Sequence, residues 1–259
     1  MCRLAAYLGP DISLQAFLTE PPHSLVEQAA APRELRFARL NADGYGFGWF
    51  APDGRPAVYT SPLPIWSDVN LPHLSRALSA PLWLAAVRSA TPGNPVNHAN
   101  TQPFWDDELI YLHNGYVEEF ARELRPQVQE QLSPEVGAAV LGNTDSEYLF
   151  ALMRQLLAED ADLSLEGALA ELAGRIEEAL GDGKALLNVV VSEGGRLYAL
   201  RHAVNSECPS LYYTTDDEAF PSAQLLASER LTEAGFWQPV PEHHILILDP
   251  EEPPELLAL

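Results

Sequence analysis

The stretch LLNVVVSEGGRLYALRH at residues 186–202 decides the fold class. Its apolar runs at 186–192 and 197–202 flank Glu193-Gly194-Gly195, a pattern typical of a β-hairpin. Helical sequence precedes it, because apolar residues recur with the period of an α-helix over 144–157 and 164–180. The change of period after residue 180 marks the return from helices to strands.

Both predicted helices carry end signals. Thr144 followed by Glu147 is a capping-box pattern at the start of the first helix. Gly181-Asp182-Gly183 ends the second helix.

Strand patterns lie on both sides of these helices. Before them the sequence predicts strands at 3–8, 45–50, 57–61, 82–87 and 109–112, and short helices at 13–19, 24–31 and 74–78. After the hairpin it predicts strands at 211–214, 224–227 and 244–248. This order favours an α+β fold with two sheets and helices packed on them, in a single domain over 1–259. The stretch 119–141 is expected to be a helical insertion, and an acidic tail from about residue 249 a surface extension.

The charge balance excludes two classes of partner. Fifteen Lys and Arg residues against 37 Asp and Glu give a net charge of −22, which repels nucleic acid and anionic membranes. No apolar run is long enough for a membrane span and no secretory signal is apparent. Two cysteines cannot build a disulfide framework or a structural zinc site, so a reduced, cytoplasmic protein is expected. The sequence leaves a homodimer open.

Cys2 is the most informative position. Removal of Met1 would leave a thiol and a free α-amine on one residue. An α-amine has a pKa near 7.7–8.0 in model compounds, so it can accept the thiol proton close to neutral pH. The thiolate is a strong nucleophile. The alternative is a small apolar residue in an edge strand.

Two strand ends carry polar residues suited to substrate binding. Arg88 follows the strand at 82–87, and its planar guanidinium can bind a carboxylate through two hydrogen bonds. Asn114 and Gly115 follow the strand at 109–112, where an amide and a backbone N–H could hold an oxyanion. The alternatives are a surface salt bridge for Arg88 and a plain Asn-Gly turn.

Three further segments are candidates for the same cleft. Asp145 lies at a helix start, where a carboxylate is stabilised and could hold an ammonium group, although it could equally serve the helix dipole. Alternating glycines at 44, 46 and 48 weaken a strand unless something approaches its backbone. The polar loop at 100–104 could line the cleft, and both segments could equally be tight loops.

Together these segments resemble the class II glutamine amidotransferase domain of the N-terminal-nucleophile (Ntn) hydrolases. The matching segments, in the order of that family, are Met1-Cys2-Arg3, residues 41–46, Val87-Arg88-Ser89-Ala90-Thr91, residues 100–104, His113-Asn114-Gly115 and residues 144–147. A later Gly-Gly-Arg hairpin and residues 226–229 resemble the closing strands of the family. The resemblance implies a four-layer αββα sandwich.

The resemblance also implies a role for each matching residue. Cys2 would be the nucleophile, with Asn114 and Gly115 as the oxyanion hole. Arg88 would hold the α-carboxylate and Asp145 the α-ammonium of a γ-glutamyl group. Substrate contacts are also expected from Thr91 and Gln102. No metal or organic cofactor is expected.

No synthase or sugar-isomerase domain follows the amidase domain in this sequence, which favours a stand-alone hydrolase. The start Met-Cys-Arg and residues 88–93 most resemble hydrolases of ergothioneine biosynthesis, which remove glutamate from a γ-glutamyl-cysteinyl sulfoxide that carries trimethylhistidine. The alternatives are a glutaminase-like protein acting on another γ-glutamyl compound and a non-catalytic γ-glutamyl-binding subunit. An aromatic cage could bind the quaternary ammonium of such a substrate. The candidate aromatic residues are Tyr45, Trp49, Trp66, Phe104, Trp105 and Tyr116.

Overall fold

A computed structural model describes residues 2–34, 39–91, 93–233, 235 and 237–259. The strands, in chain order, are β1 (Arg3–Ser13), β2 (Tyr45–Phe50), β3 (Pro56–Ser61), β4 (Ser79–Val87), β5 (Phe104–Trp105), β6 (Ile110–Val117), β7 (Ala185–Ser192), β8 (Leu197–Val204), β9 (Tyr212–Thr214), β10 (Gln224–Ala227), β11 (Gln238–Pro239), β12 (His244–Asp249) and β13 (Glu252–Ala258). The α-helices are α1 (Leu14–Leu18), α2 (Leu25–Ala30), α3 (Leu71–Ala77), α4 (Leu124–Gln131), α5 (Pro134–Ala139), α6 (Asp145–Glu159) and α7 (Leu165–Leu180).

The strands form two sheets whose neighbouring strands are antiparallel. The first has the order β11-β9-β10-β1-β4-β2-β3, and the second has the order β13-β12-β8-β7-β6-β5. Strands from both ends of the chain meet in the first sheet, since β1 pairs with β4 on one side and with β10 on the other. Such a sheet closes only when distant segments pair.

Alternation of side chains along the strands builds the layers. Alternate residues of β1 such as Leu4 and Ala6 pack with Leu112 and Val190 of the second sheet, which gives a fully apolar core between the sheets. The opposite face of the first sheet packs on α1 and α2, and that of the second sheet packs on α6 and α7. The predicted αββα sandwich is therefore confirmed.

The structure extends several predicted strands, and β1 continues from residue 8 through Gly9 and Pro10 to Ser13. The strand expected to end at residue 112 continues through Asn114 and Gly115 to Val117, because both residues pair with β7. They do not form a turn. The acidic tail forms β13, an edge strand paired with β12 through residues 252–258. The stretch 119–141 contains two short helices, α4 and α5.

The alternating glycines of β2 lie where other chain segments approach the backbone. A Cβ at Gly46 would lie 2.3 Å from the carbonyl oxygen of Gln102, and one at Gly48 would lie 3.0 Å from Ile110. A Cβ at Gly44, whose φ is +115°, would lie 3.0 Å from Oγ1 of Thr101. The glycines therefore let the loop at 101–103 and β6 lie directly on β2.

Within the described ranges, no helix combines the length and the apolar character needed to cross a membrane.

Candidate active site

Three predicted site residues lie at one end of the space between the sheets. Arg3 pairs with Val87, so Cys2 lies opposite Arg88 just beyond the last paired residues of β1 and β4. Both continue the alternation of Leu4 and Ala86, whose side chains point toward the second sheet. Asn114 continues the same alternation from Leu112 of β6, which packs against β1 and β4. The alternation of side chains along these strands therefore directs Cys2, Arg88 and Asn114 into the layer between the two sheets.

The electrostatics of Arg88 confirm this proximity. Burial lowers the pKa of the Arg88 guanidinium, while negative charge on Cys2, Asp43 and Asp145 raises it. The guanidinium donates to the carbonyl oxygens of Pro95 at 3.2 Å and Asp43 at 3.4 Å. Arg88 is only 5% exposed and has no ion-pair partner among the residues that the structure describes. A buried cation without a paired anion is suited to bind the carboxylate of a ligand.

Asp43 shapes the turn that follows Arg88. Its backbone N–H donates to the carbonyl oxygen of Arg88 at 2.9 Å, and its carboxylate accepts from the backbone N–H of Ala90 at 2.8 Å. Asp43 therefore fixes the turn after β4 and adds negative charge beside the guanidinium. Asp43 carried no sequence signal for this role, although its neighbours in the Asn-Ala-Asp-Gly segment indicated the loop.

Asn114 presents an unused amide. Its side chain is fully buried, and within the described part of the chain neither its amide nitrogen nor its amide oxygen has a hydrogen-bond partner. Asn188 lies directly opposite on β7 and donates to the carbonyl oxygen of Ser210 at 2.8 Å. Each unsatisfied buried group costs about 1–3 kcal/mol, so the Asn114 amide is poised to bind a ligand atom. Its Nδ2 is suited to stabilise an oxyanion.

Gly115 occupies a position that admits no side chain. A Cβ there would lie 1.7 Å from the carbonyl oxygen of Leu186 and 2.4 Å from Nε2 of His113. The His113 imidazole donates from Nε2 to Leu186 O at 2.9 Å and accepts at Nδ1 from the Ser146 hydroxyl at 2.8 Å. Burial lowers the pKa of His113, which keeps the ring neutral in this role. The imidazole therefore connects β6, β7 and α6 behind Gly115.

The Gln102 amide supports the same strand. It donates from Nε2 to the carbonyl oxygen of His113 at 2.8 Å and accepts from the His113 N–H at 2.6 Å. Gln102 thus acts as a short pairing partner for β6, and its predicted contact with substrate stays a prediction. Thr91 is exposed beside residue 92, which lies outside the described ranges, and its predicted contact also stays a prediction.

Asp145 lies where the sequence placed it, at the first residue of α6. Its carboxylate accepts from the backbone N–H of Val117 at 2.9 Å and of Ser146 at 2.8 Å. Its negative charge raises the pKa of Arg88, which places the two opposite charges near each other.

The predicted capping box at the start of α6 is only half formed. Thr144 accepts from the Glu147 N–H, but the Glu147 carboxylate binds the N–H groups of residues 141 and 142 instead of the Thr144 N–H.

A buried ion cluster holds the residue after Cys2. Arg3 points away from the site, and its Nε lies 2.9 Å from the Glu229 carboxylate. That carboxylate also binds His23 at 2.8 Å and the backbone N–H groups of Arg33 and Glu34 at 2.8 and 2.9 Å. These hydrogen bonds outweigh burial and lower the pKa of Glu229. The cluster therefore fixes the start of β1 from the outer side of the sheet.

Replacing Glu229 by Gln is expected to destabilise the fold by about 3 kcal/mol at pH 7, because the buried Arg3 loses its anion. The folded-state pKa of Glu229 is lowered, so its contribution is present above the ordinary value of 4.5 and lost as the pH falls through the folded value. Urea unfolding at pH 7 and at pH 4 measures the difference from wild type, which we expect to shrink at pH 4. Glu233→Gln, at a nearby exposed position, serves as the control, and an equal destabilisation by both variants contradicts the prediction.

Besides the layer that holds Cys2, Arg88 and Asn114, the structure has a cavity of about 590 Å³, called the second cavity below. Phe104, Trp105 and Phe150 provide its aromatic walls. Its charged side chains are Asp106, Glu135, Glu147 and Arg154, and Arg154 pairs with Asp106 at 2.6 Å. Thr101 lines the cavity and lies against Gly44, whose carbonyl oxygen accepts from the Arg88 N–H at 2.8 Å. The cavity therefore borders the segment that carries Arg88.

Four of the six predicted cage aromatics lie outside this cavity. Tyr45 is buried and donates to Asp68 at 2.8 Å, while Trp49 stacks on Phe47. Trp66 is exposed and Tyr116 packs beside Leu186. Phe104 and Trp105 remain as candidates for binding a cation.

Comparison with known proteins agrees with this geometry. Residues 28–232 match the family model of the class-II glutamine amidotransferases. Two relatives named gamma-glutamyl-hercynylcysteine sulfoxide hydrolase come from Mycolicibacterium smegmatis (31% identical, 95% of each chain) and Mycobacterium tuberculosis (32% identical, 95% of this chain and 92% of the relative). A glutamine aminotransferase class-II domain protein from Silicibacter pomeroyi superposes with a TM-score of 0.72 at 25% identity, over the full length of both chains. The protein belongs to the class II glutamine amidotransferases.

Proposed function

We propose that the protein hydrolyses a γ-glutamyl amide bond through a thioester on Cys2. The observation that carries this proposal is the placement of Cys2, Arg88 and Asn114 in one layer, with Asp145 near Arg88. Arg88 and Asp145 offer opposite charges to the carboxylate and the ammonium of a glutamyl group. The unpartnered Asn114 amide offers a donor to the oxygen of the bond to be cleaved.

The proposed reaction begins after removal of Met1, which frees the α-amine of Cys2. That amine accepts the thiol proton, and the thiolate attacks the γ-carbonyl carbon. Asn114 Nδ2 and the Gly115 N–H hold the resulting oxyanion. The C–N bond breaks as the α-ammonium protonates the leaving nitrogen, which leaves a γ-glutamyl thioester. Water then attacks the thioester, and glutamate and the free thiol are released.

The relatives and the second cavity suggest the leaving group. We propose that the substrate is the γ-glutamyl-cysteinyl sulfoxide of ergothioneine biosynthesis, and that the leaving group is its cysteinyl sulfoxide amine, which carries a trimethylated histidine. The cavity offers aromatic faces in Phe104 and Trp105 and negative charge in Glu135, which suit a quaternary ammonium. The net charge of −22 agrees with a substrate that bears a quaternary ammonium. We place the reaction in the cytoplasm, because both cysteines are free thiols.

Trp105→Ala is expected to raise KM for the trimethylhistidine substrate about 5- to 30-fold through loss of a cation–π contact worth about 1–2 kcal/mol. KM for glutamine, which has no cation in its leaving group, is expected to stay unchanged. Trp66→Ala is the matched control, since Trp66 is 48% exposed, close to the 50% of Trp105, but lies outside the cavity. Equal effects of Trp105→Ala on both substrates contradict this assignment.

A panel of three substrates tests the proposed function. Purified protein is incubated with glutamine, glutathione and the ergothioneine intermediate, and glutamate release is measured. We expect the highest kcat/KM for the ergothioneine intermediate. Faster release from glutamine or glutathione favours another γ-glutamyl substrate. Binding without any release, together with no Cys2 adduct from a glutamine-analogue electrophile by mass spectrometry, favours the non-catalytic alternative.

A further inference from the structure

A cluster of ligand-type side chains lies apart from the glutamyl site, between the end of β8 and the start of β12. The Cys208 sulfur, a carboxylate oxygen of Glu242 and a ring nitrogen of His243 all lie within 4.8 Å of one another. Cys208 is only 2% exposed, whereas the Glu242 side chain is 53% exposed. The proposed reaction uses none of these residues. From this grouping we propose a zinc site formed by Cys208, Glu242 and His243.

The hydrogen bonds around His243 leave it ready to bind a metal. Its Nδ1 lies 2.9 Å from Nδ1 of His202, and Nε2 of His202 lies 3.1 Å from the Glu177 carboxylate. The Glu177 carboxylate is close to Nε2 of His202 without a hydrogen bond between them, and its negative charge favours a proton on that nitrogen. With the proton on Nε2, Nδ1 of His202 accepts and His243 donates from Nδ1. Nε2 of His243 then keeps its unshared electron pair. Histidine ligands in metal sites almost always donate their second ring N–H to a fixed partner, and His202 is that partner for His243.

The backbone of His243 supports the same conclusion. Its φ of +58° lies in the left-handed region, which is uncommon for a residue other than glycine. The Leu259 N–H donates to the carbonyl oxygen of His243 at 3.0 Å and helps to hold this conformation. Such backbone conformations persist only where the surroundings enforce them, and they concentrate at functional positions. Here the conformation sets the direction of the imidazole.

The donor set selects the metal. One thiolate sulfur, one imidazole nitrogen and one carboxylate oxygen suit Zn²⁺, whereas Mg²⁺ and Ca²⁺ require oxygen ligands. Bonds of about 2.0–2.3 Å in a tetrahedral site place ligand atoms about 3.3–3.8 Å apart. The present spacing, within 4.8 Å, therefore needs a closure of at most about 1.5 Å. The exposed Glu242 carboxylate can supply it by turning from Arg201, whose Nη2 lies 3.4 Å away. Water would complete the fourth position.

The three protein ligands leave an open position, unlike the closed four-ligand type of structural zinc site. The location would let the metal hold the loop after β8 near the strand pair that carries Asn114. Asn188 donates to the carbonyl oxygen of Ser210, two residues after Cys208, and lies opposite Asn114. Arg201 donates to the carbonyl oxygen of Pro209 at 2.8 Å. A metal on Cys208 would add a third attachment for this loop, which borders the strand pair that carries Asn114.

Metal binding is tested on untagged Cys2→Ala protein, in which Cys208 is the sole cysteine. After removal of metal by a chelator, the protein is titrated with Zn²⁺ and, separately, with Co²⁺. We expect one bound ion per chain, a rise in Tm with Zn²⁺ and a thiolate-to-Co²⁺ charge-transfer band. No bound ion, or a Co²⁺ complex without that band, overturns the proposal.

Variants decide which side chains hold the ion. His202→Ala is expected to weaken Zn²⁺ binding by about 10–100-fold, the usual effect of losing an orienting partner. Cys208→Ser and His243→Ala are expected to weaken it further, and Glu242→Gln, at an exposed position, keeps the test valid if a buried variant fails to fold. His73→Ala on α3 is the matched surface control and is expected to bind as tightly as the parent. Unchanged affinity in Cys208→Ser, His243→Ala and Glu242→Gln contradicts the assignment.

Discussion

Replacement of Cys2 by Ala is expected to abolish glutamate release, with kcat falling by a factor of about 10⁴ or more, the scale seen when a covalent nucleophile is removed. No other thiol can substitute, since Cys208 is buried among Leu186 and Ala203. Cys2→Ser is expected to retain only a small fraction of the activity, because a hydroxyl is a far weaker nucleophile than a thiolate at neutral pH. For each variant, kcat is measured as the rate of glutamate release from the ergothioneine intermediate.

Cys208→Ser is the matched control for this prediction. It removes the second sulfur of the chain from a buried position outside the glutamyl site. The kcat of the folded protein at 25 °C is therefore expected to stay within about twofold of wild type, a difference of about 0.4 kcal/mol. Intact mass analysis of the wild type is expected to show loss of Met1 and one adduct with a glutamine-analogue electrophile. Turnover at the wild-type rate by Cys2→Ala protein ends the thioester mechanism.

Replacement of Arg88 by Ala has the second largest expected effect. The buried guanidinium lacks an anionic partner among the described residues, so a substrate carboxylate is expected to supply one. Loss of charged hydrogen bonds worth about 2–4 kcal/mol lowers kcat/KM about 30- to 1,000-fold. Arg88→Lys keeps the charge but loses the planar fork, so an intermediate loss is expected.

Steady-state kinetics with the ergothioneine intermediate and with glutamine measure this effect. Both substrates share the γ-glutamyl group, so the two losses are expected to agree within a factor of about three, less than 1 kcal/mol. Arg122→Ala is the control, since that arginine is 74% exposed and pairs only with surface glutamates in the described part of the chain. An unchanged kcat/KM in Arg88→Ala removes Arg88 from the site.

Local sequence patterns predicted most elements of the fold. The hairpin at 45–61, the two long helices and the β7–β8 hairpin agree with the structure to within about two residues, because each has a period or a turn signal of its own. The glycines of β2 also indicated a close approach, which the loop at 101–103 and β6 supply. The short strands β5 and β11 were missed, because each has only two residues, too few to show the alternation of apolar and polar residues that marks a strand.

The residues of the candidate site also fall into those that local sequence predicted and those that it did not. Cys2, Arg88 and Asp145 stand at ends of elements, where the sequence marks the boundary and the residue type indicates the chemistry. The position of Asn114 was predicted, but its setting was wrong, because Asn-Gly signals a turn locally while β7 extends the strand through it. Asp43 was missed, because its role depends on a backbone contact with a residue far along the chain.

The sequence alone indicated the class of chemistry, since Cys2, an arginine at a strand end and a helix-start carboxylate are properties of residue type and local pattern. The tertiary structure alone decided how β1, β4 and β6 align, that Glu229 neutralises Arg3, and that Cys208, Glu242 and His243 meet. These contacts join segments far apart in the chain, so they depend on the order of strands in the sheets. That order is fixed by burial summed over the whole molecule, and no short stretch of sequence records it.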